Sequence, residues 1–181
     1  MPEPLVVAFV PGVTPGKWER IWRERRPGGR LELVPAPQAE ALQGLRDGTV
    51  HMALARDIVA DDTWHAIPLY REQPVVVAER ESLVAAMDEL RLADLEGETV
   101  LPVDLEQGGG ADTIELVAAN VGVAIMPQSV ARVLSRKDVK ARPLLDAPDT
   151  GISLVWPIDD PHPLAETFIG IVRGRTARSS R

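Results

Sequence analysis

The sequence contains no cysteine, which excludes disulfide bridges, thiolate metal sites and cysteine nucleophiles, and which fits a reducing compartment. It also lacks an excess of basic residues. Its 27 acidic and 20 basic residues give a net charge of -7, and we expect no DNA-binding surface because phosphate binding depends on clustered Lys and Arg. No apolar run approaches membrane-spanning length, and the first residues, MPEPLVVAFVPG, do not form a signal peptide. These features predict a cytoplasmic protein with no membrane contact.

Motifs for catalysis and metal binding are missing as well. The residues His51, His65 and His162 are scattered, with no partner at the spacing of metal ligands. Gly108–Gly110 is not followed by Lys-Ser or Lys-Thr, so it does not form a phosphate loop. No G-x-S-x-G motif is present. We therefore expect no metal, no cofactor and no enzymatic activity.

The first third of the chain alternates between strand and helix patterns. With 45% hydrophobic residues, 181 residues suffice for one domain or two small lobes. Short apolar runs predict strands, and apolar residues at three- and four-residue spacing predict helices. The predicted order is a strand at 5–10, a helix from Thr14 or Pro15, and then a strand at 31–34, a helix at 38–47 and a strand at 50–55. This β-α-β-α-β order indicates a parallel, doubly wound sheet.

The remainder of the chain predicts a second group of strands and helices. Thr113–Gln128 combines a short helix with a buried strand that ends at Pro127, and strand ends of this kind are common ligand sites in α/β sheets. Residues 57–64 look like a loop, 104–110 form a Gly-rich connection, and 173–181 should fray. Further strands are predicted at 74–78, 99–103, 139–145 and 152–156, and further helices at 82–95, at 129–134 and from Pro161.

Short motifs in this order resemble the effector-binding (substrate-binding) domain of LysR-type transcriptional regulators. Each motif is weak alone, but together they cover nearly the whole chain. They lie at Val6–Pro11, Glu40–Leu54, Pro68–Val77, Leu92–Glu98, Leu116–Pro127 and Leu154–Trp156. Where the family commonly has glycine, this chain has Asn120, the residue that best replaces glycine in a left-handed conformation.

The resemblance implies an α/β, two-lobed, type 2 periplasmic-binding-protein-like fold in which each lobe is a small doubly wound sheet. The first lobe would comprise residues 1–72 and 149–181, and the second residues 73–148. A small, anionic effector would bind in the cleft between them, and the chain would form a homodimer. A helix and a strand of the family are missing before Thr113, so the second lobe is expected to be shortened. The family's winged helix-turn-helix is also missing, so we expect no direct DNA binding, and a full-length LysR-type regulator is a possible partner.

Seven residues match the family's effector-binding loops. They are Thr14, Pro37, Gln38, Arg56, Val103, Asp104 and Gln128. Simpler roles are open for several of them. Thr14 could cap a helix, Gln38 could be an ordinary first-turn residue, and Arg56 could form a surface ion pair with Asp57, Asp61 or Asp62. Shortening of the lobe could displace Val103 and Asp104, and Gln128 or Ser129 could be a helix N-cap.

Three alternative functions are compatible with the sequence. In a dimerisation or interaction scaffold, the shortened lobe would have closed the cleft. A transporter solute-binding protein shares the fold but requires export. A small enzyme on the same fold is the third alternative, because a fold does not determine a function.

Overall fold

The computed structural model describes residues 3–107 and 109–174. The predicted fraying of residues 173–181 concerns mainly residues 175–181, which lie outside this description. The strands are β1 (Leu5–Phe9), β2 (Leu31–Pro35), β3 (Met52–Arg56), β4 (Trp64–Glu72), β5 (Pro74–Glu79), β6 (Val100–Leu101), β7 (Val123–Pro127), β8 (Val139–Pro143) and β9 (Thr150–Pro157). The helices are α1 (Gly16–Arg25), α2 (Gln38–Asp47), α3 (Leu83–Ala86), α4 (Ala111–Ala118), α5 (Gln128–Val133) and α6 (Ala165–Val172), and Leu92–Leu95 form a 3₁₀ turn.

The chain folds into two compact units. One contains the residues up to Tyr70 and those from Gly151 onward, and the other contains Arg71–Thr150. None of the helices in the described ranges combines the length and the apolar character needed to cross a lipid bilayer.

The first unit is built on a five-stranded sheet with the order β2-β1-β3-β9-β4. β1 pairs in parallel with both β2 and β3, as the β-α-β-α-β pattern predicts, and β9 is antiparallel to β3. Every residue of β3 is buried, which explains the continuous apolar run Met52–Ala55 before Arg56. The rings of Trp22 in α1 and Phe168 in α6 pack with their centres 6.1 Å apart in the core of this unit.

The second unit is built on a four-stranded sheet with the order β6-β7-β5-β8. β5 is antiparallel to β7 and β8, whereas β6 and β7 are parallel. Residues 102–107 and 109–110, which connect β6 to α4, contain no helix or strand. This is the region in which the sequence predicts a shortened connection.

Asn120 and Gly122 form the tight link between α4 and β7. Asn120 has a φ of 58°, so the predicted left-handed conformation is confirmed. Gly122 lies so close to the residue before β6 that an added Cβ would be 2.2 Å from the carbonyl oxygen of Thr99. The link can therefore be short because neither residue brings a branched or bulky side chain into it.

Three details of the sequence prediction are wrong. Residues 64–72, of which only the end was expected to lead into a strand, form the nine-residue strand β4. The helix predicted at 82–95 was expected to bury its apolar residues Leu83 and Met87, but they are 87% and 39% exposed, because α3 contains only four residues. Val121, which follows Ile114 and Val117 at the spacing expected for one apolar helix face, lies beyond the end of α4 and is 51% exposed.

Candidate effector-binding loops

The loops that follow β1, β2 and β3 lie along one edge of the first sheet. These three strands are parallel neighbours, so their carboxyl ends meet at the same edge. Thr14 follows β1, Pro37 and Gln38 follow β2, and Arg56 is the last residue of β3. The structure thus brings the four candidates of the first unit to the edge at which α/β sheets usually bind ligands.

Gln38 and Arg56 are both buried at this edge, with exposed fractions of 7% and 5%. The side-chain oxygen of Gln38 accepts a hydrogen bond from the backbone N–H of Arg56 at 2.7 Å. Gln38 is the first residue of α2, as the sequence predicts, but its role extends beyond the first turn. Arg56 is buried, so it is not the exposed surface residue that the ion-pair alternative assumes.

Thr14 does not cap α1. The helix begins at Gly16, Pro15 occupies the N-cap position, and no side chain there accepts a hydrogen bond from the first turn. Thr14 is exposed, and within residues 3–107 and 109–174 its hydroxyl has no hydrogen-bond partner. The hydroxyl is therefore available to a ligand.

Pro37 occupies the corresponding N-cap position of α2, with a φ of -55° and no capping side chain. It is half-buried. Since proline has no N–H, Pro37 can contribute only its ring and its carbonyl to a ligand.

Asp104 shapes the loop after β6. Its Oδ1 accepts hydrogen bonds from the backbone N–H groups of Glu106 and Gln107, both at 3.0 Å. Val103 is half-buried and packs against the apolar cluster of the second unit. Asp104 is an exposed residue that stabilises a local turn through Oδ1, so Oδ2 is the carboxylate oxygen that remains for a ligand.

Gln128 begins α5 directly after β7. The N-cap is Pro127, so the predicted capping by Gln128 or Ser129 is wrong. The backbone N–H of Gln128 donates to the carbonyl of Gln73 at 2.9 Å, while its side chain is exposed. Among the described residues the Gln128 amide group has no partner.

Glu72 is a buried carboxylate next to Gln128 that the sequence did not indicate. It is 7% exposed and accepts a hydrogen bond from the Ser129 hydroxyl. Its signal in the sequence, one acid in the polar run Arg71–Gln73, does not differ from that of a surface loop.

In the part of the chain that the structure describes, no group of three or more His, Asp or Glu residues is arranged to hold a metal ion.

The sequence model of the LysR substrate binding domain matches residues 16–114 and 102–177. The chain belongs to the LysR substrate-binding domain family. The match comes in two pieces that overlap at 102–114, and the connection between β6 and α4 lies in this interval.

Similar proteins are transcriptional regulators. The uncharacterized HTH-type transcriptional regulator YwbI of Bacillus subtilis (strain 168) is 22% identical, with alignment over 77% of this chain and 55% of YwbI. The chain thus spans about half the length of this curated relative. A cysteine mutant of OxyR from Corynebacterium glutamicum has a TM-score of 0.75 and 21% identity, covering 96% of this chain and 64% of OxyR.

The BenM effector binding domain with its effector benzoate has a TM-score of 0.74 and 17% identity, covering 97% of this chain and 93% of the BenM domain. These likenesses confirm the two-lobed, type 2 periplasmic-binding-protein-like α/β fold that the sequence predicts.

Proposed function

We propose that this LysR substrate-binding domain binds a small anionic metabolite and acts as the sensing part of a transcription regulator. The observation that carries the proposal is the shared sheet edge that holds the free hydroxyl of Thr14 and the buried Arg56. In a family of effector-binding domains, this edge is the first place to expect the effector.

The chemistry of the edge favours a carboxylate. A guanidinium keeps its charge when buried and presents paired N–H donors that match the two oxygens of a carboxylate. A threonine hydroxyl can donate a further hydrogen bond. Gln38 anchors the backbone of Arg56, which limits the positions that this residue can adopt.

In the second unit, Gln128 is the strongest candidate. Its amide is exposed and has no partner among the described residues, so it can donate to an oxygen or accept from a hydroxyl. Val103 and Asp104 are weaker candidates, because Asp104 already holds its own turn and carries a charge that repels an anion.

Titration calorimetry with a panel of aromatic and aliphatic carboxylates that includes benzoate tests the proposal. We expect Thr14→Ala to weaken binding of the tightest carboxylate about tenfold, since a hydrogen bond to a charged group contributes about 1.5–3 kcal/mol. Arg56→Lys, which keeps the charge but loses the paired geometry, should weaken binding as well. Thr167→Ala removes the same hydroxyl from α6 and should leave binding unchanged.

Two outcomes would contradict the proposal. If no carboxylate binds, the domain is better explained as a dimerisation or interaction scaffold. If carboxylates bind equally well to the Thr14, Arg56 and Thr167 variants, the site lies elsewhere.

Membership of the family supports several further proposals. We place the protein in the cytoplasm as a non-enzymatic regulator that forms homodimers and can pair with a full-length LysR-type regulator. Exposed apolar residues on the second unit, Val100, Leu116 and Val121, support an interface there. Direct DNA binding is not proposed for these 181 residues, whose net charge is -7. Light scattering of the wild type and of Leu116→Glu tests the dimer, which the charged variant should weaken.

A further inference from the structure

A cavity of about 540 Å³ lies within the first unit, away from the candidate effector loops. It is bordered by the end of α2, the residues before β3 and β4, and the segment between β9 and α6. His51, at its border, precedes β3, whereas Arg56 ends this strand. Five residues of extended strand span about 16 Å, so the cavity and the effector loops are at opposite edges of the sheet. Its volume is in the range of about 300–1,000 Å³ that small-molecule sites occupy.

Two histidines line this cavity as a pair. The rings of His51 and His162 have centres 4.4 Å apart. Nδ1 of His51 accepts the backbone N–H of Val6 at 3.0 Å, and Nδ1 of His162 accepts that of Leu164 at 3.1 Å. In the neutral rings the hydrogen is therefore on Nε2. Within the described ranges neither Nε2–H has an acceptor, so the pair offers two unused donors.

This tautomer argues against a metal site. A neutral imidazole that accepts a hydrogen bond at Nδ1 carries its hydrogen at Nε2, so it has no second lone pair for a metal ion. The two unused N–H groups instead suit an oxygen atom of a carboxylate or phosphate.

Charges of both signs surround the same cavity. The guanidinium of Arg46 lies over the ring of Trp64, 5.7 Å from its centre. The lining also includes the exposed carboxylates of Asp62, Asp159 and Asp160. Across the residues that the structure describes, Arg46 forms no ion pair with any of the three.

A ligand with a single charge matches only part of this lining. A simple anion would accept from the histidines and Arg46 but would be repelled by three carboxylates. A simple cation would be attracted by the carboxylates but would leave the histidine N–H groups unused and would face Arg46. A zwitterion matches both sets of groups.

We propose that this cavity is a second ligand site that binds a free α-amino acid. Arg46 and the Nε2–H groups of His51 and His162 hold the carboxylate, and the carboxylates of Asp62, Asp159 and Asp160 attract the ammonium group. The apolar wall formed by Val50 and Pro157 takes the side chain. The site goes beyond the proposed effector binding, because it uses other residues at another edge of the sheet.

Histidine NMR of the full chain gives a direct readout. The sequence has three histidines, and His65 is outside the cavity lining, so it serves as an internal control. Each proteinogenic L-amino acid is added in turn, and long-range ¹H–¹⁵N spectra of the imidazoles are recorded. We expect at least one amino acid to shift the Nε2 signals of His51 and His162 while the Nε2 signal of His65 does not shift.

Comparison ligands and variants test the zwitterion. The amine and the deaminated acid that correspond to the tightest amino acid should each bind about tenfold more weakly, which corresponds to about 1.4 kcal/mol. Arg46→Gln and Asp160→Asn should weaken the amino acid to a similar degree. Asp160 has a φ of 48°, a conformation that asparagine tolerates, so D160N removes the charge without straining the backbone. D88N, an exposed aspartate in the second unit, is the control and should bind normally.

The second site and the effector site can be separated by their variants. Thr14→Ala should weaken carboxylate binding and leave amino-acid binding unchanged, and R46Q should do the reverse. The inference is overturned if no amino acid shifts His51 and His162, if R46Q and D160N bind as tightly as D88N, or if Thr14→Ala abolishes amino-acid binding.

Discussion

The side-chain oxygen of Gln38 accepts the backbone N–H of Arg56 at 2.7 Å, which joins the first turn of α2 to the last residue of β3. Both residues are buried, so the bond is shielded from water. It holds two effector-loop candidates, 18 positions apart in the chain, in one fixed relationship.

Gln38→Leu should therefore destabilise the protein. It leaves the buried N–H of Arg56 without this acceptor, which costs about 1–3 kcal/mol. Gln43→Leu makes the same change at an exposed position of the same helix and should alter stability by no more than about 0.5 kcal/mol. Urea unfolding of both variants measures the difference, and equal stabilities would show that the Gln38 bond contributes nothing.

Gly122→Ala should destabilise the second unit by several kcal/mol or prevent folding, because the new Cβ would lie 2.2 Å from the carbonyl oxygen of Thr99 and the sheet would have to shift. Gly170→Ala is the matched control. Gly170 lies in α6 with nothing within 4 Å of the added Cβ, and alanine there should stabilise the helix by about 0.4–1 kcal/mol. Thermal unfolding should move in opposite directions for the two variants. A Gly122→Ala protein as stable as the wild type would show that the link is less crowded than described.

At position 120, we predict that glycine gives a more stable protein than a branched residue does. The φ of 58° at Asn120 costs an ordinary L-residue about 1–2 kcal/mol. Asn120→Gly should leave stability unchanged or raise it slightly, whereas Asn120→Val should lower it by at least that amount. Denaturant midpoints rank the stabilities of the wild type and the two variants. A valine variant as stable as the glycine variant would contradict the left-handed conformation.

His51 is predicted to make stability pH-dependent. Burial lowers the pKa of His51 below its usual value, and the neighbouring His162 lowers it further, while Glu3 opposes both. The folded state therefore favours the neutral ring. Its contribution to stability is present above the unfolded pKa of about 6.5 and is lost as the pH falls below that value through the folded pKa.

Melting temperatures between pH 7.5 and pH 5.5 measure this effect. We expect the wild type to lose stability on acidification and His51→Asn to lose less, because the asparagine oxygen can still accept the Val6 N–H but does not titrate in this range. His65→Asn makes the same substitution outside the His51–His162 pair and serves as the comparison variant. Identical pH profiles for the wild type and His51→Asn would refute the assignment.

Local sequence patterns predicted most of the strands and helices. The apolar runs of β1 and β3 are buried on both faces, and burial of this kind leaves a continuous signal in the sequence. β4 was missed because it is the last strand of its sheet, where polar residues and a proline such as Pro68 are tolerated. Leu83 was misplaced because one helical turn is too short for periodicity to show which face is buried.

The candidate site was predictable only in part. The positions of Thr14, Gln38 and Arg56 at strand ends followed from the pattern and from the family resemblance. The burial of Arg56 did not, because the exposure of a strand-end arginine depends on what packs over it. Glu72 and Ser129, 57 positions apart, are hydrogen-bonded through a pairing that leaves no local signal.

The sequence by itself determined the fold class, the parallel β-α-β-α-β start, the left-handed residue at Asn120 and the absence of cysteine chemistry. These depend on composition and on contacts between near neighbours in the chain. Only the tertiary structure decided that Gln38 holds Arg56 and that His51 meets His162, 111 positions later. Such contacts depend on how strands are ordered in a sheet. The local sequence around one residue of a distant pair does not indicate which residue it will contact.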